Sequence, residues 1–162
     1  MSVKTNAMRQ LDKARISYQM VDYLPLKEEE ELSYDEISAR TGVPKENIYK
    51  TILAVGHSGS YCVLVVPGEA SVDLKKAAKV LGEKSIELAD VRDLEKITGY
   101  VRGGCSPVGM KKQFRTVIDQ TAGTKEYIMV SAGKRGFQLR LVPNDLISFV
   151  KGSVADICAD MD

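Results

Sequence analysis

A single domain that mixes helices with strands is what this sequence predicts, on three observations. Its 162 residues are enough for one buried core without staples. Hydrophobic residues make up 44% and charged residues 28%, a globular profile without low-complexity tracts or linkers. Helix-period and strand-period stretches both occur along the chain, and the second half is rich in short strand-like runs.

Ala7, Met8, Leu11 and Ala14 recur at helical spacing and predict an amphipathic helix over 4–14. Residues 17–24 read as a strand, with Tyr23 near its end before Pro25, and the charged run Lys27 to Glu31 reads as a solvated loop. Helix 33–41 carries complete end signals. Ser33 and Glu36 fit a capping box, Leu32 and Ile37 the accompanying staple, and Gly42 with Pro44 the stop. Residues 47–55 alternate as a strand with Ile48, Lys50, Ile52 and Ala54 on one face. Gly56 to Gly59 then turns the chain into a strand from Tyr61 to Val66, which Pro67-Gly68 ends.

Leu74, Ala77, Ala78 and Leu81 form the inner face of a helix over 73–82, leaving Lys75, Lys76 and Lys79 outside. A shorter helix spans 90–97 and closes at Gly99. Strands are expected at 116–119, 127–130 and 137–142, with a glycine-rich connection, Ser131 to Gly136, between the last two. Pro143 opens a final helix to Val150, and residues 153–158 add a last short strand.

Composition excludes several kinds of chemistry. Three cysteines, Cys62, Cys105 and Cys158, are too scattered for a disulfide framework or a zinc site, so reduced thiols are expected. His57 is the only imidazole and sits in a glycine-rich turn, which leaves no obvious base for a nucleophilic triad. No phosphate-loop or dinucleotide fingerprint is present, and no cofactor is implied. No apolar run reaches membrane-span length and the first residues lack the apolar core of a signal peptide; a cytoplasmic protein with no membrane partner is expected.

Two features remain as candidates. The stretch Val101 to Gly109 places adjacent glycines before Ser106-Pro107, a bend that suits either a tight sheet corner or a cradle of backbone amides around a ligand. Lys50, flanked by apolar neighbours on its own face, either snorkels from a sheet edge or projects into a partly dry pocket where its charge acts strongly. Net charge is +1, yet residues 75–115 hold ten Lys and Arg against five Asp and Glu. Lys75, Lys76, Lys79, Lys111, Lys112 and Arg115 thus flank the glycine stretch, as a solvated surface or as a footprint for a polyanion.

Tyr49-Lys50-Thr51-Ile52-Leu53, Gly99-Tyr100 running into Gly103-Gly104-Cys105-Ser106-Pro107-Val108-Gly109, and Val130-Ser131-Ala132-Gly133-Lys134-Arg135-Gly136 together resemble the YbaK/EbsC family of aminoacyl-tRNA deacylases, which is related to the editing domain of prolyl-tRNA synthetases. The resemblance covers nearly the whole chain. It implies a single compact α+β domain with a mixed, curved β-sheet surrounded by helices, and trans-editing hydrolysis of the ester in Cys-tRNA(Pro), assisted by the substrate's own thiol. It places Lys50, Gly103 and Gly104 in catalysis, and Tyr23, Thr51, Cys105, Ser106, Pro107, Ser131 and Gly133 around the substrate. Ala132 stands where the family usually has a first glycine after the serine. The basic set from Lys75 to Arg115 would then hold tRNA phosphates near the aminoacylated 3′ end, with prolyl-tRNA synthetase as a companion in tRNA selection. Two other functions fit the same residues: a deacylase of another mischarged tRNA such as Ala-tRNA(Pro), and a module that binds an aminoacyl end without cleaving it.

Overall fold

The computed structural model describes residues 3–160. Helix α1 (Asn6–Lys13) leads into strand β1 (Gln19–Asp22) and helix α2 (Tyr34–Thr41). The hairpin of β2 (Tyr49–Gly56) and β3 (Tyr61–Pro67) follows, then α3 (Leu74–Leu81), β4 (Ile86–Leu88) and α4 (Leu94–Thr98). The remaining elements are β5 (Arg115–Asp119), β6 (Ile128–Lys134), β7 (Phe137–Leu141), α5 (Pro143–Val150) and β8 (Ser153–Ala155). The α+β class is as expected.

The strands form two sheets that meet at one point. Strands β1, β7 and β6 make an antiparallel sheet, and β4, β2, β3, β5 and β8 make a mixed one, parallel at β3–β5 and β5–β8. A parallel bridge between Ile48 and Met129 joins them, so the expected curved surface is one sheet folded onto another. Past that bridge no further pairing joins β2 to β6 among the described residues, and both strands line a cavity.

Strand β3 explains why the five-stranded sheet sits in the middle. Val63 and Val65 point into the core shared with α1, α5 and the three-stranded sheet, while Cys62, Leu64 and Val66 point into a second core beneath α3. Both faces are therefore buried, which is what its unbroken apolar run requires. A third, smaller core of Tyr23, Ile37, Val43, Ile48 and Met129 packs α2 at the junction of the two sheets.

The end signals of α2 form as read. Ser33 Oγ accepts from the Glu36 N–H at 3.1 Å, Glu36 Oε1 accepts from the Ser33 N–H at 3.2 Å, and Gly42 closes the helix at φ +75°. Elsewhere the structure differs from the sequence reading. Residues 131–134 are strand and not loop: β6 runs through them with a bulge between Ser131 and Lys134, and only Arg135 and Gly136 turn the chain. Bulged strands use glycine as loops do, so the composition misled. Strand β4 is too short to show alternation and was not foreseen; it pairs with the end of β2. Residues 90–97 divide into a 3-10 turn at Val91–Asp93 and the five-residue α4.

Candidate active site

The cavity lined by β2 and β6 has a volume of about 950 Å³. Its floor is built by Tyr49, Lys50 and Thr51 of β2 and Ser131 of β6, its sides by Tyr23, Gly103 and Cys105, and its rim by Glu29 to Glu31, Arg102 and Arg135. Residues distant in sequence are thus gathered by two strands of different sheets.

Lys50 stands on the apolar face that alternation assigned to it. Ile48 belongs to the junction core and Ile52 packs on the core beneath α3, with Lys50 half-buried between them. Burial lowers its pKa from the ordinary lysine value, and among the described residues no carboxylate pairs with it. Its charge is therefore less screened by water than that of a surface lysine, and no carboxylate among the described residues neutralises it. Beside it, Thr51 Oγ1 is buried and has no hydrogen-bond partner among the described residues. A buried orphan hydroxyl costs on the order of 1–3 kcal/mol.

The glycine stretch has a more specific geometry than the sequence showed. Residues 101–104 form a turn in which the Gly104 N–H donates to the Val101 carbonyl at 2.9 Å, with Gly103 at φ +84°. The turn commits the Gly104 amide, whereas the Gly103 N–H bonds to no acceptor among the described residues. Gly104 lies buried against the β6–β7 turn, where a Cβ would sit 3.2 Å from the Arg135 nitrogen. Gly103 faces the cavity and Gly104 supports it from behind.

Other predicted residues divide in the same way. Tyr23, Cys105 and Ser131 line the cavity. Ser106 is fully buried, its Oγ accepting from the Val108 N–H at 3.2 Å, and Pro107 borders a separate cleft of about 80 Å³ with Lys112. Gly133, at φ +98°, lets the Tyr100 ring lie against the β6 bulge, and its N–H donates to Ser131 Oγ at 3.1 Å. Ser106, Pro107 and Gly133 are therefore behind the wall, holding its shape.

None of the six basic residues read as a polyanion footprint lines the cavity. Lys76 is held by Asp156 and Asp160 at 3.0 and 3.1 Å, and Arg115 by Glu83 at 2.7 Å. Lys75, Lys79, Lys111 and Lys112 are exposed. The cations at the cavity mouth are instead Arg102 and Arg135, with Lys50 inside. Both arginines lie within the quoted motifs, but nothing in the sequence shows that their side chains converge.

A buried network also escaped notice. Asp119, 1% exposed, accepts from the Thr121 hydroxyl at 2.7 Å, the Thr121 N–H at 3.2 Å and the Ile157 N–H at 3.1 Å. Thr121 Oγ1 also lies 2.7 Å from the Tyr49 hydroxyl; its own hydrogen is given to Asp119, so Tyr49 is the donor. This chain ties the residue before Lys50 to β5 and the C-terminal segment.

No thiol here is activated. Burial pushes Cys105 up to about 11 and raises Cys62, and burial with the charge of Asp119 pushes Cys158 up to about 12. All three are protonated near neutrality. Replacing Cys105, the one thiol on the cavity wall, by alanine should leave ester hydrolysis within about tenfold of the parent; a steady-state assay checks this, and a loss of a thousandfold would make it the nucleophile.

A site with a partly desolvated cation, an uncommitted backbone amide and, among the described residues, no activated thiol suits cleavage of an ester whose attacking group arrives with the substrate or the solvent. The comparisons give the class. The family model described as "Aminoacyl-tRNA editing domain" matches residues 28–149. The chain belongs to this family and is an aminoacyl-tRNA deacylase.

Its similarities are more particular than that. It is 42% identical over 154 residues to the Enterococcus faecalis protein named "Putative Cys-tRNA(Pro)/Cys-tRNA(Cys) deacylase EbsC", covering 95% of this chain and 93% of that one. It is 28% identical over 104 residues to the proline–tRNA ligase of Lactobacillus helveticus, covering 64% of this chain and 18% of the ligase. The crystal structure of "a putative trans-editing enzyme for prolyl tRNA synthetase" superposes with a TM-score of 0.82 at 23% identity, over 98% of this chain and all of that one, which shows a shared fold.

Proposed function

We propose that this deacylase hydrolyses the cysteinyl ester of Cys-tRNA(Pro), and that the substrate's thiol begins the reaction. The observation that carries the reading is the character of the cavity wall: a half-buried lysine with no carboxylate partner among the described residues lines it beside Gly103, and Cys105, the thiol on that wall, is held protonated by burial. The name of the Enterococcus relative supports the choice of amino acid.

In the proposed chemistry the substrate sulfur attacks its own ester carbonyl. A carbon–sulfur bond forms, the carbon–oxygen bond to the ribose breaks, and the thiol proton passes to the departing ribose oxygen. Water then opens the released thiolactone. Lys50, as the ammonium, favours the thiolate and the negative charge on the carbonyl oxygen, and the Gly103 amide offers that oxygen a donor. Thr51 and Ser131 orient the amino-acid end, while Tyr23 closes the apolar side. The RNA partner is an acylated tRNA, and prolyl-tRNA synthetase supplies the tRNA discrimination that a small cavity cannot.

Cys-tRNA(Pro), Ala-tRNA(Pro) and Pro-tRNA(Pro) assayed side by side test this. Rapid loss of the cysteinyl ester with the other two spared is the expected result. Equal hydrolysis of the alanyl ester would overturn thiol assistance, since alanine has no sulfur and water must then attack.

A further inference from the structure

The rim of the cavity pairs two arginines with an acidic strap, and nothing in the proposed chemistry uses either. Arg102 comes from the 101–104 turn and Arg135 from the β6–β7 turn, yet both line the cavity. The glycine pair seats the second of them. A Cβ on Gly103 would lie 3.3 Å from Arg135 Cγ and 3.4 Å from its Nε, so the Arg135 stem packs closely over the turn, whose φ of +84° favours glycine.

Their present partners are weak substitutes for a better one. Arg135 Nη2 donates to the main-chain carbonyl of Glu30, a neutral acceptor. Arg102 Nε stands 3.5 Å from Glu31 Oε1, with both side chains about two-thirds exposed, a geometry that contributes little. Both contacts come from one segment, Glu28 to Glu31, whose Glu29, Glu30 and Glu31 line the same rim. Three consecutive carboxylates at the mouth of a site for a nucleic-acid end repel the ligand unless the cations beside them bind it instead. Guanidinium forks suit phosphate oxygens better than a lone carbonyl.

We propose that Arg102 and Arg135 together hold a backbone phosphate at the 3′ end of the acylated RNA, and that the Glu28–Glu31 strap occupies that place when RNA is absent. The proposal rests on the deacylase reading for its ligand and departs from the sequence expectation, which put phosphate recognition on the lysines of α3 and residues 111–115. Arg102 and Arg135 are binding residues; the ester chemistry stays with the residues deeper in the cavity.

The experiment compares two esters in the intact protein: a cysteinylated RNA minihelix and 2′(3′)-O-cysteinyl adenosine, which has no phosphate. Arg102→Ala and Arg135→Ala should each raise KM for the minihelix roughly tenfold or more, reduce its salt slope by about 0.7, and leave the nucleoside ester unchanged. Arg135→Lys should recover part of the loss. The triple variant Glu29→Gln, Glu30→Gln, Glu31→Gln should lower KM for the minihelix and not for the nucleoside ester. Equal damage to both esters would overturn the proposal, because it would mark the arginines as supports of the wall; so would no change with either ester. If the parent protein cleaves neither ester the deacylase reading fails by itself, and binding of the uncharged minihelix by fluorescence anisotropy then decides the phosphate site. Loss of affinity in both alanine variants upholds it, and unchanged affinity removes it.

Discussion

Lys50→Ala is expected to lower kcat/KM for the cysteinyl ester by about 10²–10³-fold, the usual effect of removing a group that stabilises charge in the transition state. The residue sits half-buried between Ile48 and Ile52, lines the cavity, and has no carboxylate partner among the described residues. Such a cation is costly to the fold and strong toward a ligand, for the same reason: less water surrounds it than a surface lysine, and no carboxylate among the described residues neutralises it. Its lowered pKa gives two further checks. The folded chain releases the Lys50 proton at lower pH than the unfolded chain, so the stability lost by burying the ammonium is fully lost below the folded pKa and recovered as pH rises toward 10.5. Activity moves the other way and falls as pH rises through the folded pKa, because the ammonium is consumed. Lys50→Met, which keeps the stem, should therefore lose turnover and gain thermal midpoint at neutral pH. Normal turnover in either variant would remove Lys50 from the mechanism.

Asp119→Ala is expected to cost about 3 kcal/mol of folding stability, read as a shift in urea midpoint at constant slope. Its carboxylate is 1% exposed and accepts from the Thr121 hydroxyl, the Thr121 N–H and the Ile157 N–H. Removing it strands those donors and leaves the Tyr49 hydroxyl on a partner no longer fixed. Burial raises the pKa of this carboxyl, but the hydrogen bonds from Thr121, Ile157 and Cys158 outweigh it and the net shift is downward. A depressed carboxyl contributes stability that is complete above the unfolded value, about 3.9, and disappears as pH falls through the lower folded value. The parent protein should thus lose this increment below about pH 4, and the alanine variant should lack that part of the acid limb. A variant as stable as the parent at pH 7 would show the network to be idle. Because Tyr49 precedes Lys50, the variant should also lower kcat even where it remains folded.

Local signals were legible wherever the chemistry is local. The Ser33–Glu36 box, the Gly42 stop, the strand from Tyr61 to Val66, observed one residue longer, and the alternation around Lys50 all depend on neighbours a few residues apart, and all form as the residue pattern implies. The Gly103-Gly104 pair was legible as a place of close approach, though not what approaches. The misreading of residues 131–134 has a physical cause, since a bulged strand and a loop ask for the same small residues. Clustering lysines along the chain suggested a footprint around the glycines, but α3 lies over the second core, and Lys76 and Arg115 already have acidic partners.

By itself the sequence determined the class of the domain, the helix ends, the strand that carries Lys50 and the motifs that mark the family, because propensity, capping and period-two alternation act over a few residues. Only the tertiary structure decided which of those motifs share a cavity. It brought Lys50, Gly103 and Ser131 to one space, set Ser106 and Gly133 behind its wall, and placed Arg102 and Arg135 beside the acidic strap. Those placements depend on how the two sheets meet at the Ile48–Met129 bridge, a contact between residues about eighty positions apart that no local pattern encodes.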